Sequence, residues 1–438
     1  MAVVTTGAAL WGAAGDGQQP TFREAVDLIE FDVTVVTSSG VPVVGLGTDK
    51  FEVTVDGKAR RVVSADLVRY DQNQTSAPPP VTAPPSVGIW PDPVRLRQSV
   101  SAFRVFVLVI DSSTFDPGSV QGVTRAARAF VEALHPSDMV GLYVFPTGVQ
   151  IAPTTEHKTI VSALAKVTGQ AYRRTVEFDL RPSELVGLSP ILHEDLPTVP
   201  VSFALTPDQC RQEWGQLLQA FCAPSVGCSS PPPLVETQCS TKLNTEISVQ
   251  LVEIERDSTL SLGMLRSLVA NLIDVPGHKN LVLVSGGIIT SDRPSGRPNI
   301  GNLDAFIGQE AVKTNTAIYT LFVDWRYRQL ASAEQRRGRR TLTSAATDSN
   351  LLSRSLDQFT GASGGALFKD LMGNSDPFFD RIAKETSAYY VLGVLPDPKD
   401  RDGKPHQLNV KVKQSGVTVR GSRWVTVEKK PEPGAPVR

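Results

Sequence analysis

The side chains best placed to do chemistry follow one largely apolar run at residues 103–110. That run ends in Asp111, two serines and a threonine. A continuous apolar run of this length is typical of a strand buried on both faces. In α/β sheets, ligands bind at the carboxyl ends of such strands. The pattern leaves two alternatives: a site for a hard cation, or an aspartate that only accepts hydrogen bonds at the strand-to-helix turn.

Strands and helices alternate along the chain on both sides of this motif. Further strands are predicted at 139–145, 280–285, 317–323 and 389–394. Segments with helical periodicity are predicted at 120–134, 160–167, 245–274, 302–314, 351–359 and 378–385. This alternation predicts an α/β fold with a doubly wound, mostly parallel sheet that helices cover on both faces.

Both flanks of the α/β region have a different pattern, with apolar and polar residues alternating. It occurs at 31–36 and 50–55, before the turn Asp56-Gly57, and again at 406–412 and 417–427. Period-two alternation with Asp-Gly turns predicts β-hairpins. Because short strands need neighbours to be stable, we expect both flanks to form one small antiparallel β domain. The α/β domain would then be inserted into it.

The predicted organisation has six segments. They are a signal-like leader at 1–19, a β segment at 20–72, a proline-rich linker at 73–100, the α/β domain at 101–394, a second β segment at 395–427 and a disordered tail at 428–438. The leader is apolar or small at 2–14, but no basic residue precedes Arg23. A clipped or wrongly started signal peptide is favoured over a floppy leader, and it predicts an exported protein.

A proline-rich insertion at about 168–244 contains all four cysteines. An even, clustered number in a loop-like segment favours two disulfides in an oxidising compartment. A zinc site is the rival interpretation, but no C-x-x-C or nearby histidine supports it, and four reduced thiols are a third. Three pairings exist and the sequence does not choose among them; we favour Cys210 with Cys239 and Cys222 with Cys228.

Several function classes are disfavoured. The composition is 41% hydrophobic and 20% charged, with a formal net charge of −1, which does not indicate binding to nucleic acid. No apolar stretch reaches the ~20 residues of a membrane helix. The segment at 361–365 matches G-x-S-x-G, but a predicted helix rather than a strand precedes it, so no nucleophile is predicted. The basic run at 325–340 suits an acidic partner or a polyanion, but such a run is more often a solvated loop or helix face.

The order of these motifs resembles the von Willebrand factor A (VWA) domain, and in particular the bacterial "VWFA-related" family. The stretches that carry the resemblance include Leu108-Val-Ile-Asp111, Ser137-Asp-Met-Val140, the strand and glycines at 279–287, the glycines at 361–365, Tyr389-Tyr-Val-Leu-Gly393 and Asp402-Gly-Lys404 with His406. The resemblance covers most of residues 22–427, except for the linker and the insertion.

In such domains the sequence Asp-x-Ser-x-Ser holds a divalent cation, which a later threonine and often an aspartate after the fourth strand complete. Asp111 and Ser113 match the first two positions, whereas Phe115 and Gly286 occupy positions that normally bind. Thr175 is the nearest candidate for the threonine. The resemblance therefore implies a degenerate adhesion site with weak or absent Mg²⁺ binding, and no other cofactor is expected.

The same resemblance implies a non-enzymatic module that binds another protein and is secreted, periplasmic or part of the cell envelope. The alternative is a structural or assembly component of the envelope. In that case the cysteine-containing insertion would make the contact, independently of metal.

Overall fold

The computed structural model describes residues 28–70, 103–171, 178, 180–188, 233–291, 296–327, 342–371 and 373–427. Its strands are β1 (Ile29–Thr37), β2 (Phe51–Val55), β3 (Lys58–Arg60), β4 (Val62–Arg69), β5 (Val105–Asp111), β6 (Met139–Phe145), β7 (Gln150–Thr154), β8 (Lys279–Ser285), β9 (Thr316–Val323), β10 (Leu367–Asp370), β11 (Ala388–Val394), β12 (Pro405–Val412), β13 (Val417–Gly421) and β14 (Trp424–Thr426). Its helices are α1 (Gln121–Ala133), α2 (His157–Leu164), α3 (Pro182–Leu188), α4 (Pro233–Asn271), α5 (Leu303–Lys313), α6 (Leu342–Ser363) and α7 (Asp376–Glu385). None of the helices in these ranges combines the length and apolar character that crossing a membrane requires.

A six-stranded sheet in the order β10-β9-β8-β5-β6-β7 forms the α/β unit. Neighbouring strands from β10 to β6 pair in parallel, and β7 pairs antiparallel with β6. The chain order reverses between β5 and β8, which makes their carboxyl ends the topological switch point of the sheet. Every residue of β5 and of β8 is buried, as their apolar runs predict.

Helices cover both faces of this sheet. On one face α1, α2 and α7 pack over a core that includes Phe106 and Phe130. On the other face α4, α5 and α6 pack over a core that includes Val107 and Leu265. Successive residues of β5 point into opposite cores, because side chains alternate along a strand. The predicted mostly parallel, doubly wound sheet is thus present.

Two four-stranded antiparallel sheets, β13-β1-β11-β4 and β14-β12-β2-β3, enclose a third core. Here β1 pairs with β13, and β2 pairs with β12. Strands from the two ends of the chain therefore share both sheets, as the alternating patterns predicted. We call this pair of sheets the β module.

The strand at 389–394 lies elsewhere than predicted. It corresponds to β11, which pairs with β1 and β4 in the β module and not with the parallel sheet. The α/β unit therefore ends before Ala388 and not at residue 394. One face of β11 contributes Tyr390 to the core of the β module. Its other face carries Tyr389, which stacks on His278 at 5.0 Å between ring centroids. Because both faces are covered, the strand has the continuous apolar pattern of a parallel-sheet strand.

The predicted hairpins are also partly wrong. β1 and β2 lie in different sheets, and so do β12 and β13. The turn Asp56-Gly57 does join neighbouring strands, β2 and β3. Period-two alternation identifies a strand with one buried face, but it does not say which strand lies beside it.

Part of the predicted insertion at 168–244 is helical. α3 lies inside it, and α4 begins at Pro233 rather than near residue 245. Leu185 and Leu243 join Phe178 in a small core cluster beside the α/β unit. Cys239 lies in α4, whereas the other cysteines and one candidate ligand fall outside the described residues; these are Cys210, Cys222, Cys228 and Thr175.

A buried carboxylate fastens the β module to the α/β unit. Glu385, at the end of α7, is fully buried. Its Oε1 lies 2.7 Å from Arg381 Nε, and its Oε2 lies 2.7 Å from Arg420 Nε on β13. A second contact joins His278 Nδ1 to Asp32 Oδ2 on β1 at 3.0 Å. Removing one partner of the buried Glu385 ion pair leaves an uncompensated charge, so this pair fixes how the two parts meet.

An ion-paired histidine stabilises the far side of the β module. His406 on β12 lies between two carboxylates, with Nδ1 2.8 Å from Asp56 Oδ2 and Nε2 3.0 Å from Asp402 Oδ1. The hydrogen bond to Asp56 is the main cause that raises the pKa of His406 above 6.5. Its imidazolium form therefore closes the loop at 402–404 onto the turn after β2.

Candidate functional site

Asp111 is the last residue of β5, at the carboxyl edge of the parallel sheet. The neighbouring strand on the side where the chain order reverses is β8, which ends at Ser285 and is followed by Gly286. Asp111 and the two serines that follow it thus lie at the switch point, where open α/β sheets form a crevice.

The carboxylate of Asp111 is buried and is held by hydroxyl groups. Its Oδ1 accepts hydrogen bonds from Ser113 Oγ at 2.5 Å and from Ser261 Oγ at 3.3 Å. Burial raises the pKa of Asp111 to about 6, although hydrogen bonds from Ser113 and Ser261 favour the ionised form and partly oppose this rise. The group can therefore change its protonation state just below neutral pH.

Ser261 was not among the predicted site residues. It lies in the last third of α4, the helix that packs against the same face of the sheet. A signal for it exists in the sequence, because Ser258 and Ser261 interrupt the buried stripe of α4 that includes Leu262 and Leu265. Buried polar residues in an apolar helix face usually have a hydrogen-bonding partner, which here is Asp111.

The position that would normally carry the fourth-strand aspartate has no room for a side chain. A Cβ atom on Gly286 would lie 2.6 Å from the backbone oxygen of Thr114. Gly286 N donates instead to Thr114 Oγ1 at 2.7 Å, and Thr114 Oγ1 donates to Asp111 O at 2.7 Å. The close approach of the two loops thus excludes a second carboxylate at this point.

Two residues of the basic run also tie these loops together. Trp325 Nε1 donates to Thr114 O at 2.9 Å, and Arg326 donates to Gly286 O at 3.1 Å. The Arg326 guanidinium lies over the Trp325 ring, 4.5 Å from its centroid. The first two residues of the basic run therefore hold the loops at the sheet edge together and do not form a solvated surface. Residues 328–341 lie outside the described ranges.

Of the remaining candidate positions, the structure describes Phe115 but not Thr175. Phe115 is fully buried in the core beneath α1, so the third position of the motif is a packing residue. Both hydroxyls near Asp111 are directed at its carboxylate. Within the described ranges, no group of three or more His, Cys, Asp and Glu side chains is arranged to hold a metal. The described residues supply one carboxylate and two hydroxyls here, so a bound Mg²⁺ would take most of its near-octahedral oxygen set from water.

The G-x-S-x-G match has a structural explanation. Ser363 is the last residue of α6, so a helix and not a strand precedes the motif. Its hydroxyl donates to Thr360 O at 2.9 Å and accepts from Ile318 N at 3.0 Å. A Cβ on Gly365 would lie 1.8 Å from Ile318 O, so the glycine permits β9 to approach. This hydroxyl is buried and fully engaged in packing the end of the helix.

No family model matches this chain, and no curated protein matches it. The solved structures that are similar to it include an aerotolerance-related membrane protein from Bacteroides fragilis NCTC 9343 with multiple mutations to serines, and the conserved hypothetical protein BatB from Bacteroides thetaiotaomicron. Each is 10% identical, and each comparison covers 65% of this chain and 98% of the other. The TM-scores are 0.27 and 0.26, and at these values the likeness carries no argument about this chain.

Proposed function

We propose that this chain is an exported, non-enzymatic module that binds another protein at the carboxyl edge of its parallel sheet. The observation that carries the proposal is the position of Asp111 beside β8, where the order of the strands reverses. Ligands of open α/β sheets generally bind outside the carboxyl ends of the strands at such a switch point. The resemblance of the motif order to VWA domains supports the same edge as the binding surface.

Binding at this edge would not need a metal. In a complete adhesion site, the cation offers an open coordination position to a partner carboxylate. Here Gly286 has no side chain and Phe115 faces the core, so two of the usual contributors are missing. A rigid edge, held by Thr114, Trp325 and Arg326, can instead present exposed residues of the loop at 115–119 to a partner.

The alternative is a structural or assembly component of the cell envelope that binds through its insertion. The observation that favours it is the packing of the segments that flank residues 189–232. Leu185 of α3 and Leu243 of α4 share one core cluster, so both ends of that stretch are anchored. The stretch between them contains Cys210, Cys222 and Cys228 and would make the contact in this alternative.

Site-specific photocrosslinking in the native host envelope separates these two functions. A photoreactive residue replaces Pro117, which is exposed in the loop after β5. The matched control carries it at Ile273, an exposed residue that precedes the amino end of β8 at the opposite edge. We expect a crosslinked partner from position 117 and none from position 273, in the presence or absence of chelator.

Three results would change this assignment. Crosslinking that chelator abolishes would show that the edge does use a cation. Crosslinking that persists at both edges equally would remove the edge as the binding surface. Partner capture that survives chelator but disappears when 189–232 is replaced by a short linker would favour the alternative; this deletion spares Leu185 and Leu243 and therefore leaves their core cluster intact.

A further inference from the structure

We propose that the protein has a second interaction surface, which binds a short acidic segment of a partner in an extended conformation. The surface is a groove between α2 and the β6–β7 hairpin, with a volume of about 630 Å³. We call it the lysine groove. It goes beyond the proposed function, because it lies along the last strand of the sheet and not at the switch point between β5 and β8.

The floor of the lysine groove is apolar and its rim is basic. Val144, Ile151 and Ala163 contribute to the floor. Lys158 and Lys166 line the rim, and both are exposed. No aspartate or glutamate is among the lining residues. An occupant with small apolar side chains and carboxylates at its sides would therefore complement both the floor and the rim.

The charge of the groove stands out against the rest of the chain. The formal net charge is −1, so the protein as a whole does not attract anions. Within the described ranges, neither Lys158 nor Lys166 has an ion-pair partner. Their charges are thus available to a ligand, and their attraction extends over about 8 Å at physiological ionic strength.

An available strand edge runs beside the groove. In the described part of the chain, β7 pairs only with β6 and is the last strand of the sheet. Val144 N donates to Val149 O at 3.0 Å, and Leu142 lies opposite Ile151. Hydrogen-bonded pairs alternate in an antiparallel ladder, so Gln150 between them points its N–H and C=O away from β6. Gln150 is not among the residues that line the groove, so the proposal rests on the lysines and the apolar floor and not on this edge.

The groove is also preformed at one end. Thr147 Oγ1 donates to Gln170 Oε1 at 2.8 Å, and Gln170 Nε2 donates to Thr147 O. This pair joins the loop after β6 to the segment that follows α2. Because the walls are already held together, a ligand would not have to order them on binding.

The chemistry favours a peptide over other anionic ligands. Binding to nucleic acid normally uses many phosphate contacts, and this rim supplies two cations. A membrane surface would need a broad basic face, whereas two lysines, Lys158 and Lys166, line this groove. An extended acidic segment uses both features of the groove: the two cations and the apolar floor.

The test uses the full chain and a fluorescent peptide of alternating aspartate and valine. A peptide of alternating asparagine and valine is the matched control ligand. Fluorescence anisotropy is measured at low and high salt for wild type, for Lys158→Glu with Lys166→Glu, and for Ser162→Trp, which fills the groove from an exposed lining position. Lys384→Glu, at an exposed lysine on α7, is the control for charge reversal.

We expect the acidic peptide to bind wild type, and the neutral peptide to bind at least about tenfold more weakly. The double lysine variant should lose about tenfold in affinity and most of the salt dependence. Ser162→Trp should abolish binding, and Lys384→Glu should change nothing. Thermal unfolding shows whether each variant is folded. If Ser162→Trp is not folded, the lysine variants are sufficient to test the proposal.

Four outcomes would overturn the proposal. They are no detectable binding of the acidic peptide to wild type, equal binding of both peptides, binding that the lysine variants do not change, and lysine-dependent binding to anionic phosphatidylglycerol vesicles without any binding of the peptide. An Asp111→Asn variant keeps the lysine groove and alters the sheet edge. An unchanged affinity of this variant for the peptide would show that binding at the lysine groove does not depend on the sheet edge of the proposed function.

Discussion

Replacing Asp111 by asparagine should stabilise the protein at neutral pH, and the gain should depend on pH. Burial raises the pKa of this carboxyl from 3.8 to about 6. At about 1.4 kcal/mol for each pKa unit, this rise corresponds to about 3 kcal/mol that the folded state loses when the group ionises. Asparagine has nearly the same shape and carries no charge, and its Oδ1 can still accept the hydrogen bonds from Ser113 and Ser261.

The sign follows from linkage. Below pH 3.8 the carboxyl is neutral in both the folded and the unfolded state, so it does not weaken folding. As the pH rises toward 6, the Asp111 carboxyl ionises in the unfolded chain but stays mostly protonated in the folded protein. The free energy of unfolding therefore falls. The cost is about 1.5 kcal/mol at pH 5 and reaches its full value of about 3 kcal/mol by pH 8. The free energy of unfolding of Asp111→Asn should exceed that of wild type by up to these amounts.

Urea unfolding of both proteins between pH 5 and pH 8 measures the difference. Asp357→Asn, at an exposed position on α6, controls for the loss of one surface charge and should show no such trend. A wild type that is more stable than Asp111→Asn at pH 8, or a difference that does not vary with pH, would refute the reasoning. Adding Mg²⁺ or Mn²⁺ gives an independent check. Stabilisation of wild type alone by the cation would show that Asp111 does bind it, and calorimetry would then give the affinity.

Four further predictions concern other parts of the molecule. Phe115→Ser, which restores the third position of the adhesion motif, should destabilise the protein by about 3–5 kcal/mol through the cavity it leaves, and calorimetry should detect no gain in Mg²⁺ binding. His406→Gln should lower the thermal midpoint more at pH 6 than at pH 9, because the stability from a histidine with a raised pKa is complete below about 6.5 and is lost as the pH rises through its folded value. A midpoint difference that is larger at pH 9 would contradict this assignment. Glu385→Gln should cost about 3–5 kcal/mol in urea unfolding, since it leaves two arginines without their buried partner, and a cost below about 1 kcal/mol would show that the pair is dispensable. Free-thiol titration of exported protein should find no reactive thiols if the insertion contains two disulfides, whereas four would exclude them; the cysteines are Cys210, Cys222, Cys228 and Cys239.

The sequence predicted best those features that depend on local pattern. The apolar run before Asp111 identified a strand buried on both faces and placed the carboxylate at its end. The strand in 389–394 was also recognised, but its sheet was not. A strand buried between two cores has the same pattern whether its neighbours are parallel or antiparallel, and the pairing of β11 with β1 is decided by packing.

The candidate site shows the same limit more sharply. Ser261 reaches Asp111 because of the position of α4 on the sheet and its rotation about the helix axis. Residue types alone do not specify that placement. Gly286 could be recognised as a missing ligand from the sequence. That it has no room for one depends on the carbonyl of Thr114, a backbone atom of another loop. Contacts set by the meeting of two loops are therefore visible only in three dimensions.

The long-range pairing of β1 has a consequence for the order in which the protein can be completed during synthesis. Ile29 at the start of β1 pairs with Val394, and Thr37 at its end pairs with Val417. The ribosome therefore releases β1 long before either neighbouring strand exists, whereas all strands of the α/β unit precede residue 371. A chain that stops before β11 exposes the unpaired backbone groups of β1, and such edges invite aggregation and proteolysis. Only a chain that extends through β11 and β13 can therefore pair both edges of β1, and truncated chains leave them open.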